Sequence, residues 1–303
     1  MNSVLIVRGY GGFGDLAMIS RAVRKLQQTG CDVGLMLDKK WHPLFQDWKD
    51  LKIYDQVVSA WDSIVDIGIP CPAAEIESRW VADTREASGR STVPVDRLSI
   101  FANRIGVQLD HAEKIPYIAC DRDRKVGAGK PSVYLQMKTA ESYRNWPFMK
   151  KIAKGLVSRG INVWTQGADE PIRGTTEFGG HILDAVALMR ECSLVVSPDS
   201  FAVHAAAAMG TPCVAIMGPI AADARIKFYP YASSVVVDVP CLPCWRNENS
   251  LCHKNNTLTS WCMSHLHEGA VYQHVLARLH EVMKGQVAPS VKYATAKANQ
   301  PRL

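Results

Sequence analysis

The sequence lacks the features that would place it at once in several protein classes. No apolar stretch approaches the roughly 20 residues that a helix needs to span a bilayer. Lysine and arginine form no dense run, and the formal net charge of +6 is mild, so charge gives no argument for a nucleic-acid partner. The first apolar run is too short for a secretory signal. We therefore expect a cytoplasmic protein, with peripheral association at the inner face of the membrane left open.

The composition is that of an ordinary globular protein. Of the 303 residues, 47% are hydrophobic and 21% are charged, which provides enough apolar side chains for a sizeable core. At ~150 residues per domain, this length suits two domains. The nine cysteines are expected to be mostly thiols in a reducing compartment.

The first residues predict a strand, a glycine loop and an amphipathic helix. Residues 4–8 read as a buried strand, and Gly12 and Gly14 in the following loop allow a sharp turn and close approach to a ligand. The loop lacks a full G-x-G-x-x-G pattern, which makes a dinucleotide site a poor interpretation. Asp15 follows the carboxyl end of the strand, where open α/β sheets bind ligands. Its carboxylate either accepts a proton from an attacking hydroxyl or only favours the start of the helix.

Two α/β domains are predicted. The first covers residues 1–125 and the second residues 126–285, joined by a charged, glycine-rich linker and followed by a flexible tail at 286–303. An irregular, proline-punctuated region at 70–115 is a candidate acceptor-binding loop. Further strands of the first domain are predicted at 33–37, 56–58 and 64–67, and those of the second domain at 133–137, 162–166, 194–197, 213–217 and 235–237.

The stretch 194–219 is the most informative part of the second domain. It predicts a buried strand, a polar elbow, a helix of small residues and a second buried strand, as in a parallel sheet covered on both faces. The elbow contains Asp199 and Ser200 where the helix begins. Unpaired N–H groups and the helix dipole favour an anion such as phosphate there. Ordinary capping by Asp or Ser is the alternative.

Three blocks in order resemble glycosyltransferase family 9, the heptosyltransferase-type enzymes with the GT-B fold. They are GFGDLAMISRAVRKL at 12–26, the YRNWP segment at 143–147, and LDAVALMRECSLVVSPDSFAVHAAAAMGTPCVAIMGP at 183–219. The resemblance spans about residues 3–284. It implies two Rossmann-like, doubly wound domains facing a central cleft, the first on the acceptor side and the second binding a nucleotide sugar.

The resemblance also implies a reaction. It is an inverting, metal-independent transfer of a heptose-type sugar from a nucleoside diphosphate sugar such as ADP-heptose, and no cofactor is required for catalysis. The acceptor is a hydroxyl of a glycan, such as the lipopolysaccharide core, or of a protein. Alternatives from other classes are a nucleotide-sugar epimerase or hydrolase of the same fold, and a non-catalytic binding protein that uses a cysteine-bearing loop to hold its partner.

Site residues carry over by position. Asp15 matches the general base, and Arg144 matches a basic position that holds the donor diphosphate. Asp199 matches a residue at the donor sugar. The family pattern usually has glycine where this chain has Phe201, which adds bulk at the elbow. The remaining donor-binding candidates are Ser200 and His204 near the phosphates, Thr139 and Lys138 near a phosphate-binding position, and Glu170 near the ribose.

Four cysteines are clustered in a polar loop. Cys241, Cys244, Cys252 and Cys262 give the spacing C-x2-C-x7-C-x9-C, which can place four thiolates around structural zinc or iron. Some enzymes of the resembling family bind iron in such a loop. Reduced thiols or disulfides formed after isolation are the alternative. His253 and His265 flank the cluster as further possible ligands.

Overall fold

The chain folds as two compact units in the computed structural model. The first unit comprises Met1–Arg122 with Asp223–Phe228, and the second comprises Asp123–Ala222 with Tyr229–Leu303. The chain therefore leaves the second unit for six residues and returns to it, a feature that the predicted division after residue 125 does not include. The structure describes residues 2–9, 11–56, 58, 60–67, 96–127, 129–244 and 251–287, together with the backbone of 292–297.

The first unit is built on a four-stranded parallel sheet in the order β3-β2-β1-β4. The apolar residues of β1 are buried, and helix α1 buries Leu16, Ile19 and Val23, which recur at helical spacing on one face. The elements are β1 (Ser3–Arg8), α1 (Phe13–Gln28), β2 (Asp32–Leu37), a 3-10 helix (Lys39–Phe45), β3 (Lys52–Tyr54), β4 (Ser63–Asp66), α2 (Arg97–Ile105) and a second 3-10 helix (His111–Glu113).

The third strand lies earlier in the chain than the sequence predicts. A strand was expected at 56–58, whereas β3 ends at Tyr54. Tyr54 pairs in register with Met36 and packs edge-on against Trp61, and both aromatic rings cover Gly34 of β2. Aromatic packing across a glycine therefore positions this strand. Most of the candidate acceptor loop falls outside the described residues, which resume at Asp96.

The second unit is built on a seven-stranded parallel sheet in the order β11-β10-β9-β8-β5-β6-β7. The strands β5 and β8 are neighbours, and from them the chain builds outward in opposite directions. The elements are β5 (Ser132–Gln136), a 3-10 helix (Ser142–Arg144), α3 (Met149–Val157), β6 (Asn162–Gln166), β7 (Thr176–Glu177), α4 (Ile182–Glu191), β8 (Leu194–Pro198), α5 (Phe201–Met209), β9 (Cys213–Met217), α6 (Ala222–Ile226), β10 (Ala232–Asp238), α7 (Trp261–His265), α8 (Glu268–Met283) and β11 (Lys292–Lys297); α6 lies mainly in the first unit.

The segment after residue 285 differs from the flexible tail that its composition suggests. Residues Lys292–Lys297 form β11, which pairs in parallel with β10 from Ser233 to Asp238. The polar, aperiodic sequence gives no signal for this strand, because an added edge strand is held by backbone hydrogen bonds that any residue except proline can make. Among the described residues, no helix is long and apolar enough to cross a membrane.

Candidate active site

In the first unit, Asp15 lies between two arginines. It occupies the first turn of α1, where a carboxylate also suits the helix dipole. Its Oδ2 atom lies 3.5 Å from Nη2 of Arg8, and its Oδ1 atom lies 3.2 Å from Nε of Arg97. The side chain remains 20% exposed. Each carboxylate oxygen thus faces one guanidinium, which fixes the orientation of the carboxylate.

Arg8 is an unusual residue because it is fully buried at the end of β1. Its exposed fraction is 0%, and Nη1 donates to the carbonyl oxygen of Ile67 at 2.6 Å. Its guanidinium lies 5.2 Å from the ring centre of Phe101, and Arg97 approaches the same ring at 5.4 Å. One aromatic ring therefore supports both cations beside Asp15.

Gly11 is the glycine of the loop that geometry requires, and it is not among the site residues predicted from the sequence. Its φ is +117°, and a Cβ placed there would lie 2.8 Å from Oδ2 of Asp15 and 3.1 Å from Nη2 of Arg8. A Cβ placed on Gly12, the N-cap residue of α1, would have no neighbouring atom within 4 Å. Gly14 lies within the first turn of α1. Gly11 thus gives the Arg8–Asp15 pair its space.

In the second unit, Arg144 and Asp199 meet where β5 and β8 end. Arg144 closes the 3-10 helix after β5, and Asp199 directly follows β8. The Arg144 Nη1 atom lies 3.4 Å from Oδ2 of Asp199 and donates to the Asp199 carbonyl oxygen at 3.4 Å. Because β5 and β8 are adjacent strands from which the chain diverges, this pair lies at the topological switch point of the sheet, where open α/β sheets bind ligands.

Arg144 has two further partners that keep it charged. Its Nη2 atom is ion-paired with Glu141, and its Nε donates to the hydroxyl of Tyr143 at 3.0 Å. Burial alone lowers the pKa of Arg144, but the charges of Asp199, Tyr143 and Glu141 raise it above its ordinary value. Glu141 was not singled out from the sequence, because an acidic residue three positions before an arginine gives no recognisable signal.

A shallow recess adjoins the Arg144–Asp199 pair. Its polar side is the ion pair, and the rest of its wall is apolar. It is lined by Arg144, Asp199, Ile216, Gly218, Pro219, Ile220 and Met263.

The structure shows the capping role of Ser200 and a packed environment for His204. The Ser200 hydroxyl accepts the N–H of Ala202 at 3.2 Å, as an N-cap does, and lies 2.7 Å from the Ser197 hydroxyl. His204 is buried, and its Nδ1 atom lies 2.7 Å from the Tyr229 hydroxyl. These contacts match the simpler alternatives for both residues, and their roles toward a donor stay predictions.

Three further candidates lie at the ends of β5 and β6. The Thr139 N–H donates to Oδ1 of Asn145 at 2.7 Å, so Thr139 shapes the loop that carries Arg144. Lys138 is ion-paired with Asp169, and Glu170 with Lys150, and all four side chains are largely exposed. Exposed pairs of this kind are weak and exchange readily with solvent or a ligand.

The four clustered cysteines lie near one another but do not form a set of metal ligands. Burial, together with the charges of Cys244, Cys241 and Cys252, raises the pKa of Cys262 to about 12. In the part of the chain that the structure describes, however, no three His, Cys, Asp or Glu side chains are gathered closely enough to hold a metal ion. His265 instead stacks on Trp261, with Nδ1 lying 2.9 Å from the Trp261 carbonyl oxygen. The tetrahedral four-thiolate arrangement that the spacing suggests is therefore not formed among these residues.

Comparison with known proteins yields one family match and many related structures. Residues 180–255 match the family model of glycosyltransferase family 9 (heptosyltransferase). That segment contains the elbow with Asp199 and three of the four clustered cysteines. No curated protein matches the chain.

Solved glycosyltransferases share the fold at low sequence identity. The iron-containing dodecameric glycosyltransferase TibC from enterotoxigenic E. coli H10407 is 17% identical with a TM-score of 0.69, covering 92% of this chain and 76% of its own. TibC in complex with ADP-D-beta-D-heptose is 15% identical with a TM-score of 0.68, with coverages of 92% and 77%. The E. coli ADP-heptose lipopolysaccharide heptosyltransferase II is 16% identical with a TM-score of 0.54, covering 95% and 100%.

The fold likeness extends over nearly the whole chain, whereas the family match covers one segment of the second unit. The predicted α/β, GT-B fold class is confirmed by these structures. The family match and the shared fold together confirm the resemblance to glycosyltransferase family 9 and the expectation that this chain is a glycosyltransferase.

Proposed function

We propose that the chain transfers a heptose-type sugar from ADP-heptose, or a similar nucleoside diphosphate sugar, to a hydroxyl of a glycan or protein acceptor, with inversion and without a catalytic metal. The observation that carries this proposal is the Arg144–Asp199 pair at the switch point of the second sheet. A part-buried cation beside a helix N-terminus suits a diphosphate, and the adjoining carboxylate suits sugar hydroxyls.

Arg144 would stabilise the leaving diphosphate. Its guanidinium remains charged, and its fork can bind two phosphate oxygens at once. As the glycosidic bond to the donor breaks, negative charge develops on the diphosphate, and a positioned cation lowers the energy of that state. Asp199 and Glu141 balance the cation before the donor binds. The second unit would thus be the donor-binding unit.

Asp15 would act as the general base. Its side chain is 20% exposed and can therefore be reached by an acceptor hydroxyl, and Arg8 and Arg97 fix the orientation of the carboxylate. The acceptor oxygen attacks the anomeric carbon from the face opposite the diphosphate, and Asp15 takes the proton that this oxygen loses.

The proposal is tested with ADP-heptose and a heptose-deficient lipopolysaccharide core as acceptor, by measuring ADP release and the glycan product. We expect Asp15→Asn to lower kcat by about 10²- to 10⁴-fold with unchanged affinity for ADP. The matched control is Asp50→Asn, the same isosteric change at an exposed position of the first unit. An Asp15→Asn protein with full activity would show that Asp15 is not the base.

Two other outcomes separate the alternative functions. ADP release that does not require an acceptor would identify a nucleotide-sugar hydrolase. If neither ADP nor other nucleoside diphosphates raise the Tm of the protein, the chain does not bind such donors, because any ligand of the folded state must stabilise it. That result would favour a non-catalytic binding protein.

We further propose a structural zinc or iron ion for the cysteine-bearing loop, separate from catalysis. The support is the C-x2-C-x7-C-x9-C spacing, together with the iron-containing glycosyltransferase TibC, which shares the fold; the described side chains are not in ligand geometry. Metal analysis of freshly purified protein should find about one equivalent, which Cys241→Ser with Cys244→Ser should remove and Cys31→Ser should not. Metal-free protein that keeps the same Tm after addition of zinc or iron would refute this proposal.

A further inference from the structure

The segment that presents Arg144 is short and is tied to a distant part of the chain. Arg144 ends a single turn of 3-10 helix, closed by the hydrogen bond from the Arg144 N–H to the Glu141 carbonyl oxygen at 3.1 Å. One such turn is marginal by itself. Its position must therefore depend on contacts with the rest of the second unit.

Helix α7 supplies those contacts from both of its ends. Ser260, the N-cap residue of α7, is 3% exposed, and its hydroxyl donates to the Tyr143 carbonyl oxygen at 2.6 Å. After the other end of α7, the Leu266 carbonyl oxygen accepts the Nε1–H of Trp146 at 3.1 Å. Tyr143 and Trp146 flank Arg144 in sequence, so one short helix holds the chain on both sides of the guanidinium.

The same part of the chain also forms the opposite wall of the recess. Met263 of α7 is 1% exposed, and its sulfur packs so closely on Gly218 that any Cβ there would overlap with it. The Cys244 N–H donates to the Pro219 carbonyl oxygen at 3.1 Å. The cysteine-bearing loop and α7 therefore contact the recess at Gly218 and Pro219 as well as beside Arg144.

We infer that Ser260 is a positioning residue for donor binding, which holds Arg144 through the backbone of Tyr143. This inference rests on the proposed function of Arg144. The effect of Ser260 passes through the 2.6 Å hydrogen bond from its hydroxyl to the backbone next to Arg144. It also makes α7, the helix that ends the cysteine-bearing loop, a structural part of the donor site.

The test compares three single-residue variants, with ADP as the probe. We expect Ser260→Ala to weaken ADP binding by about 3- to 10-fold, as loss of one buried hydrogen bond implies, and to raise KM for the donor more than it lowers kcat. Ser260→Thr keeps the hydroxyl and should restore binding. Ser264→Ala is the matched control, because it removes another hydroxyl of α7 that donates to the Trp261 carbonyl oxygen.

A second readout does not depend on the donor. The Nε–H resonance of Arg144, assigned through an Arg144→Lys protein, reports its bond to the Tyr143 hydroxyl. Its exchange with water should accelerate in Ser260→Ala and stay unchanged in Ser264→Ala. If Ser260→Ala does not fold, Trp146→Phe removes the other hydrogen bond to α7 and should have the same effect.

The outcomes separate this inference from the proposed function. Unchanged ADP affinity together with an unchanged Arg144 resonance in Ser260→Ala overturns the inference, and so do equal effects of Ser260→Ala and Ser264→Ala. If the unmodified protein binds no ADP, the proposed donor fails, while the Arg144 resonance still decides whether Ser260 positions the guanidinium.

Discussion

Asp15 and Arg144 both lie among opposite charges, with different consequences. Two arginines surround one carboxylate in the first unit, and two carboxylates surround one guanidinium in the second. The first arrangement fixes the orientation of the carboxylate, and the second favours a cation that changes partners when an anion arrives. Removing one partner of such a part-buried ion pair leaves the other charge uncompensated, which destabilises the folded protein.

Gly11→Ala tests the space beside Asp15. The new methyl group would overlap with the Asp15 carboxylate in a backbone conformation that alanine rarely adopts. We expect the free energy of unfolding to fall by about 1–3 kcal/mol and kcat to fall with it. Denaturant unfolding and the transferase assay measure the two effects. The control Gly12→Ala should change the free energy of unfolding by less than about 1 kcal/mol, and equal behaviour of the two variants would contradict the geometry.

Arg144→Lys tests the guanidinium fork while keeping the charge. A lysine has one ammonium group, which cannot bind two phosphate oxygens in parallel as the fork does. We expect ADP affinity to fall by about 10- to 100-fold, measured by calorimetry. The same exchange at the exposed Arg159, whose Nη1 donates to the Tyr272 hydroxyl, should leave binding unchanged. An Arg144→Lys protein that binds ADP normally would exclude Arg144 as a phosphate ligand.

Among individual residues, the sequence identifies those that follow a recognisable pattern but not those whose importance depends on geometry alone. Asp15 and Asp199 were singled out from their positions after buried strands and then matched to the family, whereas Arg144 was singled out through the family resemblance; the structure places each in an ion pair beyond the carboxyl end of a strand. Their roles in the reaction stay predictions. Gly11 and Ser260 carry no distinguishing pattern, because their importance depends on atoms distant in the sequence.

Among the secondary-structure elements, buried strands were easier to predict than edge strands. The central strands β8 and β9 are continuous apolar runs between turn signals, and β9 begins and ends at the predicted residues. The edge strands β3 and β11 are paired on one side only, among the described residues, so their sequences need little apolar character. The first was expected at later residues, and the second was not expected at all.

Removal of residues 286–303 tests the strand β11. The truncation would take one strand from the edge of the seven-stranded sheet and leave β10 without its partner there. We expect a loss of about 1–3 kcal/mol in the free energy of unfolding, or an apparent Tm lower by roughly 3–10 °C. Hydrogen exchange should locate the change at the amides of β10. A frayed tail, by contrast, would leave both the Tm and the exchange rates unaltered.

For the molecule as a whole, buried thiols predict a loss of stability at alkaline pH. Burial raises the pKa of both Cys192 and Cys213 to about 12, above that of an exposed thiol. As the pH rises, these thiols therefore ionise in the unfolded chain before they ionise in the folded one. Because ionisation stabilises the unfolded chain, the free energy of unfolding falls progressively above about pH 9. We expect about 1–2 kcal/mol per thiol by pH 10.5.

The apparent Tm measured from pH 8 to pH 10.5 checks this expectation. Cys213→Ala should lower the Tm at pH 8, because it leaves a cavity, yet its Tm should fall less steeply with pH than that of the unmodified protein. Identical pH slopes for the two proteins would show that Cys213 ionises as easily in the folded chain as in the unfolded one.

The excursion of Asp223–Phe228 into the first unit determines where this chain can be divided. The Phe228 ring packs edge-on against His111 at 4.8 Å, and the Lys114 ammonium group lies 4.4 Å from its centre. A chimera made by a single crossover in the linker near Arg122 would separate Phe228 from both partners. Exchanging the first unit between related proteins therefore requires residues 223–228 to be transferred with residues 1–122, so the exchangeable module is two segments of sequence rather than one.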